Sequence, residues 1–342
     1  MCRTLASLIQ SISHLFNSIR AIKMNTLKVA IVGAGIIGCS WAMVWARSGH
    51  TVAIYDADSA TRERALNTLA AYEEDLNRVG MTVPDNALGR VQIASTLADA
   101  VGDADYVQES VPENIDVKRA LFAELDSLAL PSAILASSTS ALGMSRFTET
   151  LTGRGRCVIV HPATPPHMMP VTEIVPSPWT DRAVVERIFT LMESLGQTPV
   201  LVKKEVAGFA MNRMQGALLI EMFRLIEDGV ISADHADKLI SDGFGLRWAF
   251  LGPLEGVDLN APGGIADYLH RFGHMFDNMA KEERVPGPVL NQKLIATLDA
   301  EMRAKLPLED IEAKRSWRNQ RMAALQKMRR DMASGSQSEL KC

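Results

Sequence analysis

The stretch KVAIVGAGIIG at residues 28–38 decides the fold of this 342-residue chain. A short apolar run leads into three glycines with the spacing G-x-G-x-x-G, a helical pattern follows, and a second apolar run, TVAIY, ends at Asp56. Strand, glycine-rich turn, helix, strand and acid in this order are typical of a βαβ unit that binds a dinucleotide. The stretch therefore predicts a dinucleotide-binding domain.

Each glycine of the motif has its own physical task. Gly33 permits the tight turn out of the strand, Gly35 lets the backbone approach a pyrophosphate, and Gly38 lets the following helix pack on the sheet. The helix that begins near Ile36 then directs its first N–H groups and the positive end of its dipole at the phosphates.

The acid at the end of the second strand indicates which dinucleotide is bound. The carboxylate of Asp56 can accept both hydroxyls of an adenine ribose and repel a 2′-phosphate, which favours NAD over NADP. Arg62 and Arg64 leave the alternative open, because an arginine near this strand end can accept a phosphate.

The composition is that of an ordinary soluble protein, long enough for two domains. Hydrophobic residues make up 47%, charged residues 22%, and the net charge of -4 comes without a basic stripe, which excludes nucleic acid as a partner. Outside the first residues, no apolar run approaches the roughly 20 residues that span a bilayer, which argues against a membrane role. The four cysteines, Cys2, Cys39, Cys157 and Cys342, lie far apart, which predicts no metal site and favours a reduced, cytoplasmic setting.

The first residues form a separate leader. Residues 1–24 contain no acid but three basic residues and four serines, a pattern seen in targeting segments. Met24 directly precedes the first strand, so the alternative is a mis-annotated start.

The rest of the chain divides into two domains and a tail. Strand patterns alternate with helical patterns over residues 25–202, which predicts a Rossmann-type α/β domain with a doubly wound, mostly parallel sheet. Only helical patterns recur over residues 203–332, so we expect an all-helical C-terminal domain. Its most continuous helical pattern covers residues 206–227, with Gly229 as the expected stop, and residues 333–342 are predicted to be a disordered tail.

Polar side chains follow two of the predicted strands. Ser140 comes after the run AILASS, and His161 closes the run CVIVH. Glu173 lies beyond a proline-rich loop that must turn the chain back, which can bring its carboxylate beside the imidazole. A dehydrogenase needs a base for the hydroxyl proton, and a histidine oriented by a carboxylate suits this task. Ser140 and Asn212 can then hold the substrate oxygen, although each of these residues taken singly has a structural reading as a cap or a hydrogen-bonded residue.

The complete set resembles the L-3-hydroxyacyl-CoA dehydrogenase superfamily over residues 27–275. The motifs GAGIIG, SSTS and GFAMNR, with His161 and Glu173 between them, have the order and spacing of that family. The resemblance implies an active site of Ser140, His161, Glu173 and Asn212, in which the glutamate orients the histidine base. It also implies a homodimer formed by the helical domain, and NAD contacts by Ile36, Ile37, Asp56, Glu113 and Lys118.

Three segments indicate the branch of this superfamily. The loop HPATPPHMMPVTEIVP, KEVAGFAMNRMQ and GLRWAFLGPLEGVDLN resemble the lambda-crystallin branch, whose enzyme activity is L-gulonate 3-dehydrogenase. The resemblance implies NAD-dependent oxidation of the C3 hydroxyl of an L-3-hydroxy acid. The branch usually has asparagine where this chain has Thr164.

Two residues of the GLRWAF segment suggest how a small acid is recognised. Arg247 can grip a free carboxylate with two parallel hydrogen bonds, and the alternative is a salt bridge within the protein. Trp248 offers a face for a quaternary ammonium group such as that of carnitine, and the alternative is core packing.

Three other functions stay open on the sequence. One is a 3-hydroxyacyl-CoA dehydrogenase of fatty acid metabolism acting on 3-hydroxybutyryl-CoA, although such enzymes typically have an aromatic-rich loop after the histidine. Another is a carnitine 3-dehydrogenase. The third is a non-enzymatic, crystallin-like protein that binds NAD without turnover, which has no need of a complete catalytic set.

Overall fold

A computed structural model describes residues 26–78, 80–81, 83–282 and 290–339. The predicted leader at residues 1–24 lies outside the described residues. The chain divides into two compact units: the first comprises Met1–Glu73 with Val83–Glu205, and the second comprises Glu74–Thr82 with Val206–Cys342. The second division between the units falls close to the boundary expected after residue 202.

The first unit is built on one eight-stranded sheet with the order β3-β2-β1-β4-β5-β6-β7-β8. Every neighbouring pair is parallel except β6 and β7, which are antiparallel. The expected doubly wound, mostly parallel sheet is therefore confirmed. The strands are β1 (Lys28–Val32), β2 (Thr51–Tyr55), β3 (Val91–Ile93), β4 (Tyr106–Glu109), β5 (Ile134–Ser137), β6 (Cys157–Pro162), β7 (Val171–Pro176) and β8 (Thr198–Leu201).

Helices connect the parallel strands. They are α1 (Ile36–Arg47), α2 (Ser59–Arg78), α3 (Leu97–Val101), α4 (Ile115–Leu128), α5 (Ser145–Thr148) and α6 (Arg182–Ser194). Helix α1 is the most deeply embedded, since all its residues from Gly38 to Ala46 are buried. Helix α4 begins at an Asn114 cap, whose side chain accepts hydrogen bonds from the N–H groups of Asp116 and Val117.

Strand order determines where a ligand can bind. The chain passes from β1 outward to β2 and β3, and then returns to the other side of β1 with β4. At such a reversal the crevice beyond the carboxyl ends of the strands is the usual ligand site of an open α/β sheet. The turns after β1, β2, β4 and β5 and the end of β6 lie at this edge.

The described residues of the second unit from 206 onward form helices and loops and contain no strand, as expected. Their helices are α7 (Met211–Glu227), α8 (Ala233–Lys238), a π-helix (Leu239–Phe244), α9 (Gly245–Trp248), α10 (Pro253–Asp258), α11 (Gly264–Lys281), α12 (Gln292–Lys305) and α13 (Ile311–Glu339). Ile226, Ala233, Ala236 and Leu294 form a buried apolar cluster where α7, α8 and α12 meet.

Two boundaries in this unit differ from the expectation. The helix expected from residue 206 begins only at Met211, because Gly208 and Phe209 take positive φ angles of 74° and 49° that interrupt a right-handed helix. At its other end the stop at Gly229 is confirmed, with φ at 70°. The last helix is described as far as Glu339, beyond residue 333, where the tail was expected to begin.

The close contact between the glycine turn and α1 allows a test of the packing. We expect Gly38→Ala to lower the free energy of unfolding by about 1 to 3 kcal/mol, because the added Cβ would lie 1.8 Å from the carbonyl oxygen of Gly33. Gly35→Ala is the matched control, since no described atom lies within 4 Å of a Cβ at that position. Its stability should stay within about 0.5 kcal/mol of the wild type. Urea denaturation measures both variants, and an unchanged midpoint for Gly38→Ala would contradict the packing described.

Candidate active site

The turn after β1 has the shape of a phosphate cradle. Gly33 has a φ of 102°, and a Cβ there would lie 2.6 Å from the carbonyl oxygen of Ser110, directly after β4. Gly35 is the N-cap of α1 and no described side chain caps this helix, so its first N–H groups point toward the open space beside Gly35. Ile36 is 60% exposed at the same place. These features fit a dinucleotide pyrophosphate.

Asp56, directly after β2, is held by the backbone. Its Oδ2 accepts a hydrogen bond of 2.7 Å from Ala34 N, and its Oδ1 accepts one of 2.9 Å from Asp58 N. Each carboxylate oxygen retains a lone pair for a ribose hydroxyl. The nearby Arg62 donates to the backbone oxygen of Asp56 and lies over the Tyr55 ring, with its Cζ 5.6 Å from the centroid. This arrangement suits the ribose of NAD.

His161 and Glu173 lie side by side, as the sequence predicts, because their strands pair with each other. The two residues lie directly opposite each other in the antiparallel ladder of β6 and β7. His161 Nδ1 lies 2.8 Å from Glu173 Oε2, and only 6% and 2% of the two side chains are exposed. Cross-strand neighbours in such a ladder have their side chains on the same face. A buried imidazole–carboxylate pair therefore lies at the carboxyl end of β6.

Ser140 lies in the loop after β5, and the residues beside it contact Glu113, one of the predicted NAD contacts. Glu113 Oε1 accepts hydrogen bonds from the hydroxyl of Thr139 and from Ala141 N at 3.1 Å. Burial alone would raise the pKa of Glu113, but these hydrogen bonds and the charge of Lys118 outweigh it, so the net shift is downward. Glu113 is thus an ionised carboxylate that binds the loop carrying Ser140. Its contact with NAD stays a prediction.

Lys118 is almost entirely buried, with 1% of its side chain exposed. Its Nζ forms an ion pair of 2.7 Å with Glu109 Oε1 and lies 3.7 Å from Glu113 Oε2. Direct contact of Lys118 with NAD stays a prediction. Glu109 was missed by the sequence analysis, although a glutamate inside the apolar run DYVQESV was a signal, because a buried carboxylate requires a partner.

The remaining two predicted residues belong to the second unit. Asn212 lies in the first turn of α7, and Arg247 lies in α9. The Arg247 Cζ is 5.6 Å from the centroid of the Phe244 ring, which in turn stacks on Trp248 with centroids 5.4 Å apart. Within the described residues Arg247 forms no ion pair with a carboxylate. That both residues join the site of His161 stays a prediction.

His167, in the loop between β6 and β7, was not singled out by the sequence analysis. Its side chain is buried, its Nδ1 contacts the hydroxyl of Ser40 on α1, and its ring stacks on Tyr72 with centroids 4.2 Å apart. Arg47, also on α1, donates a hydrogen bond of 2.8 Å to the carbonyl oxygen of His167. Burial lowers the pKa of His167 to about 3, so the ring is neutral. These contacts hold the loop between His161 and Glu173 against the helix of the glycine motif.

Other groups in the described part of the chain lack features of a reactive centre. It contains no set of three or more His, Cys, Asp or Glu side chains placed to hold a metal ion. Cys39 and Cys157 are buried free thiols, and burial raises their pKa to about 11 and about 12. None of the described helices has both the length and the apolar character needed to cross a membrane.

The glycine turn, the held Asp56 and the doubly wound sheet define an NAD-binding α/β protein, and the His161–Glu173 pair at the strand ends is typical of a dehydrogenase. The family described as 3-hydroxyacyl-CoA dehydrogenase matches with both of its domains, the NAD binding domain over residues 28–206 and the C-terminal domain over residues 208–298. The chain belongs to this 3-hydroxyacyl-CoA dehydrogenase family, and its cofactor is NAD.

Similar proteins within the family carry different names. Lambda-crystallin of Oryctolagus cuniculus is 36% identical over 310 residues, which cover 89% of this chain and 97% of that protein. The L-carnitine dehydrogenase of Streptomyces coelicolor is 35% identical over 250 residues, which cover 73% of this chain and 78% of that protein. A solved structure of 5-formyl-3-hydroxy-2-methylpyridine 4-carboxylic acid 5-dehydrogenase, an NAD+-dependent dismutase, superimposes with a TM-score of 0.76 and 29% identity, covering 89% of this chain and 99% of the other.

Proposed function

We propose that this protein oxidises the C3 hydroxyl of a free L-3-hydroxy acid with NAD, in the manner of an L-gulonate 3-dehydrogenase. The observation that carries the proposal is the buried contact of 2.8 Å between His161 Nδ1 and Glu173 Oε2. A carboxylate on one ring nitrogen selects the tautomer in which the other nitrogen accepts a proton. Such a pair at the strand ends of an NAD-binding sheet can act as the general base in the oxidation of an alcohol.

The proposed mechanism divides the work among four side chains. The N–H group at His161 Nδ1 donates a hydrogen bond to Glu173 and keeps its proton, so Nε2 is free of a proton and accepts that of the substrate hydroxyl. The imidazolium that forms is stabilised by the negative charge of Glu173 at 2.8 Å. Bound NAD supplies the acceptor for the hydride that leaves C3. Ser140 and Asn212 are proposed to hold the substrate oxygen during the transfer.

Residues of the first unit are proposed to hold the cofactor. The N–H groups at the start of α1 bind the pyrophosphate, Gly33 and Gly35 keep the space open, and Asp56 accepts the ribose hydroxyls. Ile36 and Ile37 supply apolar contact at the same helix end.

Arg247 is proposed to select the free acid. Its guanidinium has no carboxylate partner among the described residues, and a guanidinium binds a carboxylate with two parallel hydrogen bonds. A CoA thioester carries no carboxylate at the corresponding carbonyl. The lambda-crystallin similarity, which covers 97% of that protein, agrees with this branch.

L-carnitine is the second candidate substrate. It is a 3-hydroxy acid with a quaternary ammonium group, and the stacked rings of Phe244 and Trp248 beside Arg247 offer aromatic faces for such a cation. The L-carnitine dehydrogenase similarity favours the same reading. Oxidation of 3-hydroxybutyryl-CoA and NAD binding without turnover remain outcomes of the test below.

We also propose a cytoplasmic homodimer. Helix α11 has no residue buried within its own chain, yet its apolar side chains repeat at helical spacing. Leu269, Phe272, Phe276 and Met279 on this face are each 44% to 49% exposed. A second copy of the chain would cover them, and the free thiols of Cys39 and Cys157 agree with a reducing compartment.

Replacing His161 and Glu173, each in a separate variant, tests the proposed mechanism. We expect His161→Ala to lower kcat by about 10³-fold while NAD affinity stays unchanged, since the base is lost and the cradle is not. Glu173→Gln keeps a hydrogen-bonding side chain but removes the charge, so its loss should be smaller, about 10²-fold. Steady-state NADH formation and NAD titration by tryptophan fluorescence measure the two properties. Wild-type turnover by His161→Ala would remove His161 as the base.

A panel of four substrates tests the choice of acid. L-gulonate, L-3-hydroxybutyrate, L-carnitine and 3-hydroxybutyryl-CoA are compared by kcat/KM in wild type and in Arg247→Ala. We expect the free acids to lose about 10- to 100-fold through KM, as a charge-assisted hydrogen bond is worth about 1.5 to 3 kcal/mol, whereas the thioester is unaffected. Arg213→Ala, an exposed arginine of α7, serves as the control. An unchanged KM of Arg247→Ala for the best acid would refute the proposed role of Arg247.

The proposed dimer is tested by changing the apolar face of α11. Phe272→Glu should shift the sedimentation coefficient from that of a dimer to that of a monomer, because a charge cannot be buried unpaired in an apolar interface. Asn278→Glu, on the polar side of the same helix, is the control and should stay dimeric. A wild-type protein that sediments as a monomer at micromolar concentration would contradict the proposal.

A further inference from the structure

The loop that carries Ser140 is hydrogen-bonded to a single carboxylate, that of Glu113. Glu113 Oε1 accepts hydrogen bonds from the Thr139 hydroxyl, from Ala141 N at 3.1 Å and from Leu142 N at 3.3 Å. These three donors lie immediately before and after Ser140 in the chain. The conformation of the loop is thus tied to the position of one side chain.

Glu113 is in turn tied to the sheet through a buried ion pair. Its Oε2 lies 3.7 Å from the Lys118 Nζ, which pairs with Glu109 Oε1 at 2.7 Å. Glu109 is entirely buried on β4 and also accepts hydrogen bonds from the Ser137 hydroxyl and from Val111 N at 2.7 Å. Lys118 itself is fixed on α4, so the chain of contacts joins a strand, a helix and two loops.

We propose that Glu113 is a positioning residue for Ser140, held in place by Lys118 and Glu109. The proposal rests on the proposed function, which assigns Ser140 to the substrate oxygen. In this proposal Glu113 and Lys118 position the Ser140 loop, which is a role separate from contact with the cofactor.

The physical reason lies in the number and direction of the donors. An ionised carboxylate accepts several hydrogen bonds at once, and charge-assisted bonds are about twice as strong as neutral ones. Two of the donors are backbone N–H groups, which fix the path of the main chain on the far side of Ser140. A displacement of about 1 Å in a group that orients a substrate can cost about 10²-fold in rate, so precise loop placement matters for hydride transfer.

Lys118 serves this arrangement because Glu109 and Glu113 carry like charges near the same strand end. Burial raises the pKa of Glu109, and the positive charge of the Lys118 Nζ acts against this shift and offsets the repulsion between the two carboxylates. Without the lysine, the buried Glu109 would be left without a counter-charge, which proteins avoid. The half-exposed Glu113 would then lose the link that joins it to the sheet.

The first test needs no substrate. Hydrogen–deuterium exchange of the peptide that contains Ala141 and Leu142 is measured in the full-length protein without added NAD. We expect exchange in Glu113→Ala to be faster by about 10-fold, since the acceptor of both amides is lost. Glu113→Gln retains an oxygen acceptor and should keep most of the protection. Glu124→Ala, which replaces an exposed glutamate of α4, is the matched control and should exchange like the wild type.

The second test uses turnover of the best substrate in the panel. We expect Glu113→Ala to lower kcat by about 10- to 100-fold, with Glu113→Gln restoring most of it and Glu124→Ala unchanged. NAD affinity is measured in parallel by fluorescence titration. A loss of kcat together with faster exchange supports a positioning role.

The contrary results are distinct. Unchanged exchange at Ala141 and Leu142 in Glu113→Ala, with a loss of NAD affinity alone, would overturn the proposal and make Glu113 a cofactor contact only. A wild-type protein that turns over none of the panel would refute the proposed function, whereas the exchange result would still decide whether Glu113 holds the Ser140 loop.

Discussion

The structure of the candidate site depends on one cross-strand pair. His161 and Glu173 are opposite neighbours in β6 and β7, the only antiparallel step among the described strands of the sheet. Because β7 runs back from the edge where β6 ends, its first residues lie beside the last residues of β6. A carboxylate buried at this place requires a hydrogen-bonding partner, and the imidazole provides it at 2.8 Å. The antiparallel direction of β7 therefore brings Glu173 beside His161.

The same edge gathers the other groups of the first unit, because parallel strands all end on one side of a sheet. Several of these strands are followed by a turn that carries a polar group of the site. The ion pair of Glu109 and Lys118 supports two of these turns at once. His167 similarly joins the loop after β6 to α1. The edge carries Gly33, Gly35, Asp56, Glu113, Ser140 and His161.

Cofactor and substrate recognition are assigned to different parts of the chain. Membership of the 3-hydroxyacyl-CoA dehydrogenase family accounts for the NAD-binding sheet and for the helical region that follows. Selection among hydroxy acids is proposed to lie with a short segment of the second unit, where Arg247 stands beside two stacked aromatic rings. One fold can serve several substrates in this way, because function lies in the site and not in the fold.

The sequence alone determined the order of strands and helices, the glycine turn and the acid of the second strand, because these depend on local patterns of hydrophobicity and spacing. The site residues are predicted from the sequence through the family resemblance. The sequence also predicted that Glu173 returns to His161. Tertiary structure decided the pairing register that joins these two residues, the late start of α7 at Met211, and the ion pair of Glu109 with Lys118. Register and buried ion pairs arise from contacts between segments distant in sequence, and hydrophobic periodicity carries no record of which polar groups meet.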